Sequence, residues 1–394
     1  MRFSITLIAL VLFATMVKAQ QAISLTDAVM RMDTTHPALK AADYQIQRQV
    51  ELKPSSINLP NPQLLFQSPN GTQMRPSILW TTEFPTVYVR QHQLQEQQVS
   101  VAETERRMKL NDLRYELTGW YFEVQYLDRL LVMMLKQDSA YARVLDINKI
   151  RDSKGDLNAL EKSQAETQYA LFHAQVLQTQ SRRETALMMF NRMIGATNDS
   201  AFIPADGFSA ILVMLADSLN SQNNPSTSFF NQQVTIAQDQ VRLEKNRALP
   251  GLMVGYFNQG PEATSTYYRM NFGVTIPLFF WQYSSRIKGA KQQVSVAQAE
   301  AESNMFNLQM EYASAIQMLQ QSQLMLSYYS SAGVMQSSEL IRNAEESFKI
   351  GAIGQLEYLR LLEQANSLER GQLDTIFNYN KAALYIQYLN GFAK

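Results

Sequence analysis

The residue types that usually perform catalysis or hold metals are few in this chain and are not grouped. There is no cysteine, and the three histidines, His36, His92 and His173, lie in unrelated segments without the spacing of zinc ligands. Nineteen methionines offer soft sulfur ligands. Pairs such as Met133-Met134 and Met188-Met189, however, lie among apolar helical residues, where methionine commonly fills gaps in a core. We therefore expect neither an enzyme nor a resident metal or cofactor.

Two glycine-marked helix reversals are better candidates for a functional site. The first reads Lys154-Gly155-Asp156-Leu157, and the second reads Ile350-Gly351-Ala352-Ile353-Gly354. Glycine permits the left-handed backbone conformation in which a helix can end before the chain turns back. Chain reversal is one role of these segments. An exposed tip that carries Leu157 or Ile353 is also suited to contact another protein.

The sequence contains two copies of one half-protein. The segment QQVSVAE at 97–103 returns as QQVSVAQ at 292–298, and Gly155 and Gly195 return as Gly351 and Gly391. These pairs are 195 or 196 residues apart, which is too long a period for a solenoid of small units. We predict a first structural repeat at 20–195, a linker at 196–224 and a second structural repeat at 225–394.

Each copy contains a predicted pair of strands, followed by a helix of uncommon length. Met270, Phe272, Val274 and Ile276 alternate with polar residues or glycine, and this period of two places side chains on opposite faces of a strand. We predict strands at about 62–69, 76–85, 251–259 and 267–277, with turns at 69–71 and 260–261. Arg269, Asn271 and Thr275 share the polar face of the last strand.

The long helices are predicted at about 87–153 and 284–350, and at 1.5 Å per residue each would reach roughly 90–100 Å. Apolar residues in the first recur alternately three and four positions apart, as in a coiled-coil seam. They are Leu110, Leu113, Leu117, Trp120, Val124, Leu127, Leu131 and Met134. The second helix keeps this spacing less strictly, with Leu308, Tyr312, Ala315, Leu319, Ser322, Leu326 and Tyr329. Return helices are predicted at 157–194 and 356–389.

The first residues have the features of a secretory signal. Arg2 precedes an apolar run at 5–17, and small residues mark a cleavage site after about Ala19. A run of about thirteen residues is too short to span a bilayer. We expect residues 1–19 to be a signal peptide and, without cysteine, the mature chain not to be a lipoprotein. The formal net charge of zero, with 18% charged residues, argues against a nucleic-acid partner.

A signal peptide, no long apolar helix beyond it, and strands with one apolar face together indicate an outer-membrane β-barrel. Only helices and closed barrels pair all their backbone groups in lipid. Four strands cannot close a barrel, since the smallest need about eight, so other copies of the chain must complete it. Three copies would give twelve strands, and two or four copies are also compatible with this count. The alternative is two hairpins that cap a soluble helical bundle.

The chain resembles the TolC family of outer-membrane efflux channels, and within it the branch that serves heavy-metal and related RND pumps. The resemblance covers nearly all of the mature chain and depends on order and spacing rather than on one motif. The matching stretches are SLTDAV and THPAL near the start, LPNPQL before the first strand, GVTIPLFFWQYSSRIKGA before the second long helix, and KIGAIGQLEYLRLLEQANSLERGQLDTIFNYNKAALYIQYLNG at the end.

The resemblance implies a fold that is mainly α with a small β part. In it, duplicated repeats form long coiled-coil-like hairpins of a periplasmic α-barrel, and four strands per chain contribute to an oligomeric outer-membrane β-barrel. It also implies a homotrimer in outer-membrane lipid, in which the segment 196–224 is equatorial. Such a channel is passive, and an inner-membrane RND-type pump supplies substrates and energy through a periplasmic adaptor (membrane fusion) protein.

The resemblance further gives roles to single residues. The two tips, with Gly155, Asp156, Leu157, Gly351, Ile353 and Gly354, would meet the adaptor. Glu357 matches the first of two carboxylates that line the constricted inner end in the family, and Arg360 stands where the second would be. A ring of three glutamates would favour cations, and an arginine ring would weaken that preference. An ordinary ion pair one helical turn apart is the equal alternative.

The sequence thus favours an efflux duct, with a secreted structural coiled-coil protein without a pore as the alternative. On the duct hypothesis, Met270, Phe272, Val274 and Ile276 face lipid, while Arg269, Asn271 and Thr275 face water. The exported compound is not specified by these patterns.

Overall fold

The computed structural model describes residues 21–68, 73–196, 201–211, 219–258 and 269–392. The predicted signal peptide and the predicted turns at 69–71 and 260–261 lie outside the described residues. The chain divides into two compact units, each of which gathers segments from both sequence repeats. Unit 1 contains residues 1–37, 110–219 and 310–394, and unit 2 contains residues 38–109 and 220–309.

The helices of the described residues are α1 Leu25–Thr35, α2 Pro37–Glu51, α3 Pro85–Ser153, α4 Ala159–Met193, α5 Pro225–Arg247, α6 Phe280–Tyr328, α7 Val334–Lys349 and α8 Gln355–Leu389. The strands are β1 Gln21–Ile23, β2 Gln63–Gln67, β3 Arg75–Thr82, β4 Phe202–Pro204, β5 Gly251–Tyr256 and β6 Met270–Thr275. A short 3₁₀ turn covers Pro54–Ser56, and a π-helix covers Tyr329–Gly333. None of the helices in these ranges is long and apolar enough to cross a membrane.

The first long helix, α3, is one helix of 69 residues, and its heptad seam is confirmed by burial. Leu113, Leu117, Val124, Leu127 and Met134 are each at most 3% exposed. Because a repeat of 3.5 residues keeps one stripe of a helix facing its neighbours, these side chains pack against other helices along the length of α3. In the second copy the same stripe is buried at Leu308, Ala315 and Leu319.

The second long helix spans nearly the range predicted for it, but it is not α-helical throughout. It runs as α6, the π-helix Tyr329–Gly333 and then α7. Several serines in this stretch bond back to the preceding turn, as when Ser330 Oγ donates to the Ser327 carbonyl and Ser331 Oγ donates to the Tyr328 carbonyl, both at 3.1 Å. Such bonds compete with the regular ladder and favour a local irregularity.

In unit 1, a cluster of buried side chains lies where the ends of α3 and α7 meet the starts of α4 and α8. It consists of Ala140, Tyr141, Val144, Ala165, Ala344, Tyr358, Leu359 and Leu362. The rings of Phe348 and Tyr358 stack with centroids 4.6 Å apart. This packing fixes α7 on α8, so that the second reversal is held as a hairpin.

Also in unit 1, short parallel strands β1 and β4 join the two ends of the first repeat. Asp206, just after β4, accepts hydrogen bonds from two other segments of unit 1. Its carboxylate accepts hydrogen bonds from Tyr121 Oη at 2.6 Å and from the Leu25 amide at 3.2 Å, and its carbonyl accepts from Gln125 Nε2 at 2.6 Å. The predicted linker at 196–224 thus contains a strand and a polar node in the part that is described.

Candidate functional site

Unit 2 contains a four-stranded antiparallel sheet with the strand order β2-β3-β5-β6. All four predicted strands are present, each shorter than predicted. Both hairpins of the duplication meet at its centre, where Trp80 of β3 lies opposite Val254 of β5. Among the described residues, β2 and β6 are paired on one side only, so each presents an open edge.

The register places apolar side chains from all four strands on one face, because residues directly opposite each other in an antiparallel pair point the same way. Across one row, Phe272 lies opposite Val254, and Val254 lies opposite Trp80. The neighbouring rows add Leu64, Ile78, Leu252, Tyr256, Met270 and Val274. We name this surface the apolar sheet face.

The four residues predicted to share one side of the last strand are all exposed in the single chain. Phe272 is 76% exposed, Ile276 63%, Val274 59% and Met270 39%. Met270, Phe272 and Val274 lie within β6, whereas Ile276 follows its last residue, Thr275. Large exposed apolar patches on a protein commonly mark a contact with lipid or with another chain.

The opposite face of the sheet is more polar. Asn271 and Thr275 alternate with the apolar residues of β6, and Ser77 lies on this face of β3, where its Oγ accepts a hydrogen bond from the Asn258 amide at 3.2 Å. Arg269 precedes β6, and its Nη1 donates to Asn258 Oδ1 at 2.5 Å.

Both helix reversals of unit 1 end in the same backbone motif. Gly155 has φ +74° and Gly351 has φ +70°, which confirms the predicted left-handed conformation. At the first tip, the Asp156 amide donates to the Arg151 carbonyl and the Gly155 amide to the Asp152 carbonyl, both at 3.0 Å. The second tip has the same two bonds, from Ala352 to Ser347 and from Gly351 to Phe348. These are Schellman caps, and glycine avoids the steric cost at the left-handed position.

Gly354 differs from the other glycines of the tips. Its φ of −76° and ψ of 165° place it in the extended region as the N-cap residue of α8, so it does not supply a left-handed turn. In the first tip the N-cap residue is Asn158, which precedes α4. Its side chain accepts a hydrogen bond from the Leu160 amide at 3.0 Å.

The two tips differ in side-chain chemistry. Ion pairs join the two helices of the first tip, from Arg151 to Glu161 at 3.1 Å and from Lys162 to Asp152 at 2.6 Å. The second tip instead carries Ile350, which is 80% exposed. Ion pairs therefore cross-link the helices of the first tip, and both tips present an exposed apolar side chain, Leu160 in the first and Ile350 in the second.

Ile353, which was predicted to belong to the tip that contacts the adaptor, is half-buried. Ile353 packs against the buried cluster at the base of the second hairpin, because the chain has already turned back toward α8 at that point. Leu157 is half-buried. The most exposed apolar side chains near the tips are Ile350 and, with 68% exposure, Leu160. Ile350 belongs to the predicted second tip, whereas the exposure of Leu160 was not predicted from the sequence.

Glu357 and Arg360 form the predicted ion pair within one chain. Arg360 Nη2 lies 2.7 Å and Nε 3.2 Å from the Glu357 carboxylate oxygens. The hydrogen bond from Arg360 lowers the pKa of Glu357, and the same bond raises the pKa of Arg360. Both side chains remain largely exposed, so they are free to face other copies of the chain.

The described histidines are dispersed. His173 Nδ1 lies 3.2 Å from the Asp138 carboxylate, and His92 contacts Ser56 and Glu96. Within the described part of the chain, no three His, Cys, Asp or Glu side chains are arranged to hold a metal ion.

No family model matches the sequence, and no curated protein matches it. Solved structures, however, match over almost the whole chain. The outer-membrane channel OprN is 16% identical with a TM-score of 0.78, over 93% of this chain and 90% of that one.

Two further matches come from named organisms. The Campylobacter jejuni CmeC outer membrane channel is 12% identical, with a TM-score of 0.77 over 93% of this chain and 85% of that one. The Vibrio cholerae outer membrane protein VceC is 14% identical, with a TM-score of 0.75 over 93% and 96%. The chain thus has the fold of these outer-membrane channel proteins, as its resemblance to the TolC family implied.

Proposed function

We propose that this protein is the trimeric outer-membrane channel of a tripartite efflux system, a passive exit duct to which an inner-membrane RND-type pump delivers substrates through a periplasmic adaptor. One observation carries the proposal. The chain has a small sheet with an apolar face and two open edges, attached to helical hairpins, in the fold of outer-membrane channels.

The open edges account for the oligomer. Unpaired backbone groups at a strand edge are costly in lipid, where water does not replace the missing partner. In the proposed trimer, β6 of one copy pairs with β2 of the next, and twelve strands close around the pore. The apolar sheet face then meets lipid through Met270, Phe272, Val274 and Ile276. The opposite face, with Asn271 and Thr275, lines the water-filled interior.

The tips of the helical hairpins are the proposed contact sites for the adaptor. In this proposal the helical part lies in the periplasm, and the tips around Gly155 and Gly351 contact the adaptor. The exposed Leu160 of the first tip and Ile350 of the second would lie in this contact. Glu357 and Arg360 then lie near the inner opening, where three copies form a charged ring that is held by exposed polar pairs and can separate during transport.

The location follows from the same proposal. Residues 1–19 direct export and are removed after about Ala19, and the mature chain is held in the outer membrane by its strands without an acyl anchor.

The alternative is a secreted structural coiled-coil protein without a pore, and fractionation distinguishes the two. A barrel trimer should stay in the outer membrane after a high-salt wash and should run as a trimer in SDS unless boiled. Recovery of the protein in the salt wash, as a monomer in unboiled samples, would exclude the channel and favour the alternative.

A further inference from the structure

The two long helices differ in size at two positions of the seam. Along this part of the chain the copies are 195 residues apart, the spacing of the two QQVSVA segments. At that spacing Trp120 of α3 matches Ala315 of α6. Two helical turns farther on, Leu127 of α3 matches Ser322 of α6. The second copy thus has two small side chains where the first has two large ones.

An open cavity of about 530 Å³ lies in unit 1 beside these two small residues, and both of them line it. Its other lining residues come from α6, from α8 and from Tyr115 of α3. Ala315 is 1% exposed and Ala382 of α8 is 6% exposed, so these two alanines form the floor. In the first copy Leu127, at the position that matches Ser322, is 0% exposed. The volume is in the range of small-molecule sites, roughly 300–1,000 Å³.

The walls of the cavity combine thioethers and aromatic rings. Met318 and Met325 line it from α6 and are 57% and 44% exposed. Tyr115 and Tyr385 line it from α3 and α8, with ring centroids 5.9 Å apart. Tyr385 Oη donates to the Glu311 carboxylate at 2.9 Å, so this tyrosine offers the cavity its ring. Because thioethers adapt their shape and make favourable contacts with aromatic rings, these walls are complementary to a flat aromatic ligand.

The charge of the lining is positive. Lys381 is its only ionisable side chain apart from the two tyrosines. Lys381 Nζ lies 5.4 Å from the centroid of the Phe377 ring, and within the described part of the chain it takes part in no ion pair. The remaining polar residues of the lining are uncharged; they are Gln321, Ser322, Thr375 and Asn378. A cation without an anionic partner at an aromatic cavity favours a ligand that carries negative charge.

We propose that this cavity binds a small amphipathic anion, an aromatic carboxylate or sulfonate with one or two fused rings. The rings lie between the methionines and tyrosines of the walls, above Ala315 and Ala382. The anionic group lies at Lys381, with the amides of Gln321 and Asn378 as further hydrogen-bond donors. The proposal depends on the geometry of unit 1 and goes beyond the proposed function.

Two ligands of equal shape test the recognition of charge. The probes are 2-naphthoate and its neutral amide, 2-naphthamide, in equilibrium dialysis against the purified oligomer in lipid nanodiscs, with empty nanodiscs as the background. We expect saturable binding of both, with naphthoate about fivefold tighter, the size of a strong exposed ion pair. Equal affinities would overturn the choice of an anion. Absence of saturable binding would overturn the site.

Replacement of the lysine tests its role. Lys381→Gln should weaken naphthoate binding about fivefold, to the affinity of naphthamide, and leave naphthamide binding unchanged. The matched control is Lys349→Gln, which removes the same charge from an exposed lysine at the end of α7 and should keep the preference for naphthoate. A preference that survives Lys381→Gln would overturn the assignment of the anionic group to Lys381.

Restoring the first-copy residue tests the location. Ser322→Leu introduces the side chain that α3 carries at the matching position, and it should weaken the binding of both ligands at least about tenfold by filling the cavity. Ser322→Ala keeps the space and should retain binding. Unchanged binding in Ser322→Leu would overturn the proposed location. If that variant does not assemble, Lys381→Gln decides, since Lys381 is exposed and its replacement leaves the packing intact.

The binding measurement is independent of transport, so this site and the proposed function can fail separately. A protein that forms pores in planar bilayers but binds neither ligand would overturn this site and leave the channel proposal intact. A protein that binds naphthoate at Lys381 but forms no pores would contradict the proposed function and leave this site intact.

Discussion

Placing an arginine on the apolar sheet face tests the orientation of the strands in the membrane. Phe272 is the third of six residues in β6, in a row with Val254 and Trp80 across three strands. This central position corresponds to the middle of the apolar band, where arginine on the lipid side costs about 2–4 kcal/mol. At about 1.4 kcal/mol per factor of ten, Phe272→Arg should lower the ratio of folded to unfolded subunits roughly 30- to 1,000-fold.

The adjacent residue supplies the matched control. Asn271 lies in the same strand and is also exposed in the single chain, but points to the opposite face. Asn271→Arg introduces the same side chain into the proposed aqueous interior and should change stability little. Ile276→Arg, beyond the end of β6, should cost about 0–1 kcal/mol, as expected near the membrane interface.

The assay is urea unfolding of the protein in lipid vesicles, together with the fraction of SDS-resistant trimer in isolated outer membranes. The expected order of destabilisation is Phe272→Arg, then Ile276→Arg, then Asn271→Arg. Equal effects of Phe272→Arg and Asn271→Arg would refute both this orientation of the strands and the barrel itself.

Three other predictions concern the helical part. Gly351→Trp should leave the membrane trimer intact but abolish crosslinking to the adaptor, because the left-handed conformation costs a residue with a side chain only about 1–2 kcal/mol and a Cβ atom at position 351 would meet no atom outside the turn within 4 Å; loss of the trimer would show that the turn is needed for folding. Arg360→Ala should raise single-channel conductance and Glu357→Gln should reduce cation preference, and if neither changes, the constriction lies elsewhere. Tyr126→Phe should cost about 1.5–3 kcal/mol, since the buried hydroxyl donates to the Asp374 carboxylate at 2.5 Å. Burial and this bond raise the pKa of Tyr126, so the difference between wild type and variant should be complete below about pH 10 and shrink as the pH rises further, as measured by unfolding at pH 8 and pH 11; a difference that does not depend on pH would contradict this assignment.

The sequence was most informative where a pattern repeats. Buried apolar residues recur at heptad spacing over several turns from Leu113 to Met134. Such a long periodic pattern rarely arises by chance, so it predicts the packed face of the helix. The strand β6 and the helix ends at Gly155 and Gly351 could also be predicted. An alternation of period two is typical of a strand with two different faces, and glycine favours the left-handed conformation that ends a helix.

What the sequence did not reveal depends on contacts between distant segments. The Asp206 node brings together groups from three segments, and the Tyr126–Asp374 bond joins positions 248 residues apart. The exposure of Ile350 and the partial burial of Ile353 depend on how the second tip folds onto its hairpin. The distance between matching residues of the two copies changes from 195 to 196, which indicates one extra residue in the second long helix. The position of that residue, at the π-helix, follows only from which side chains are buried in the structure.

Single-channel recording of the purified, unboiled oligomer in planar lipid bilayers tests most directly whether this protein forms a pore. The proposed channel predicts discrete, reproducible conductance steps that appear with the trimer fraction and disappear after boiling. Insertion of the trimer without conductance steps, or steps that do not follow the trimer fraction, would contradict it.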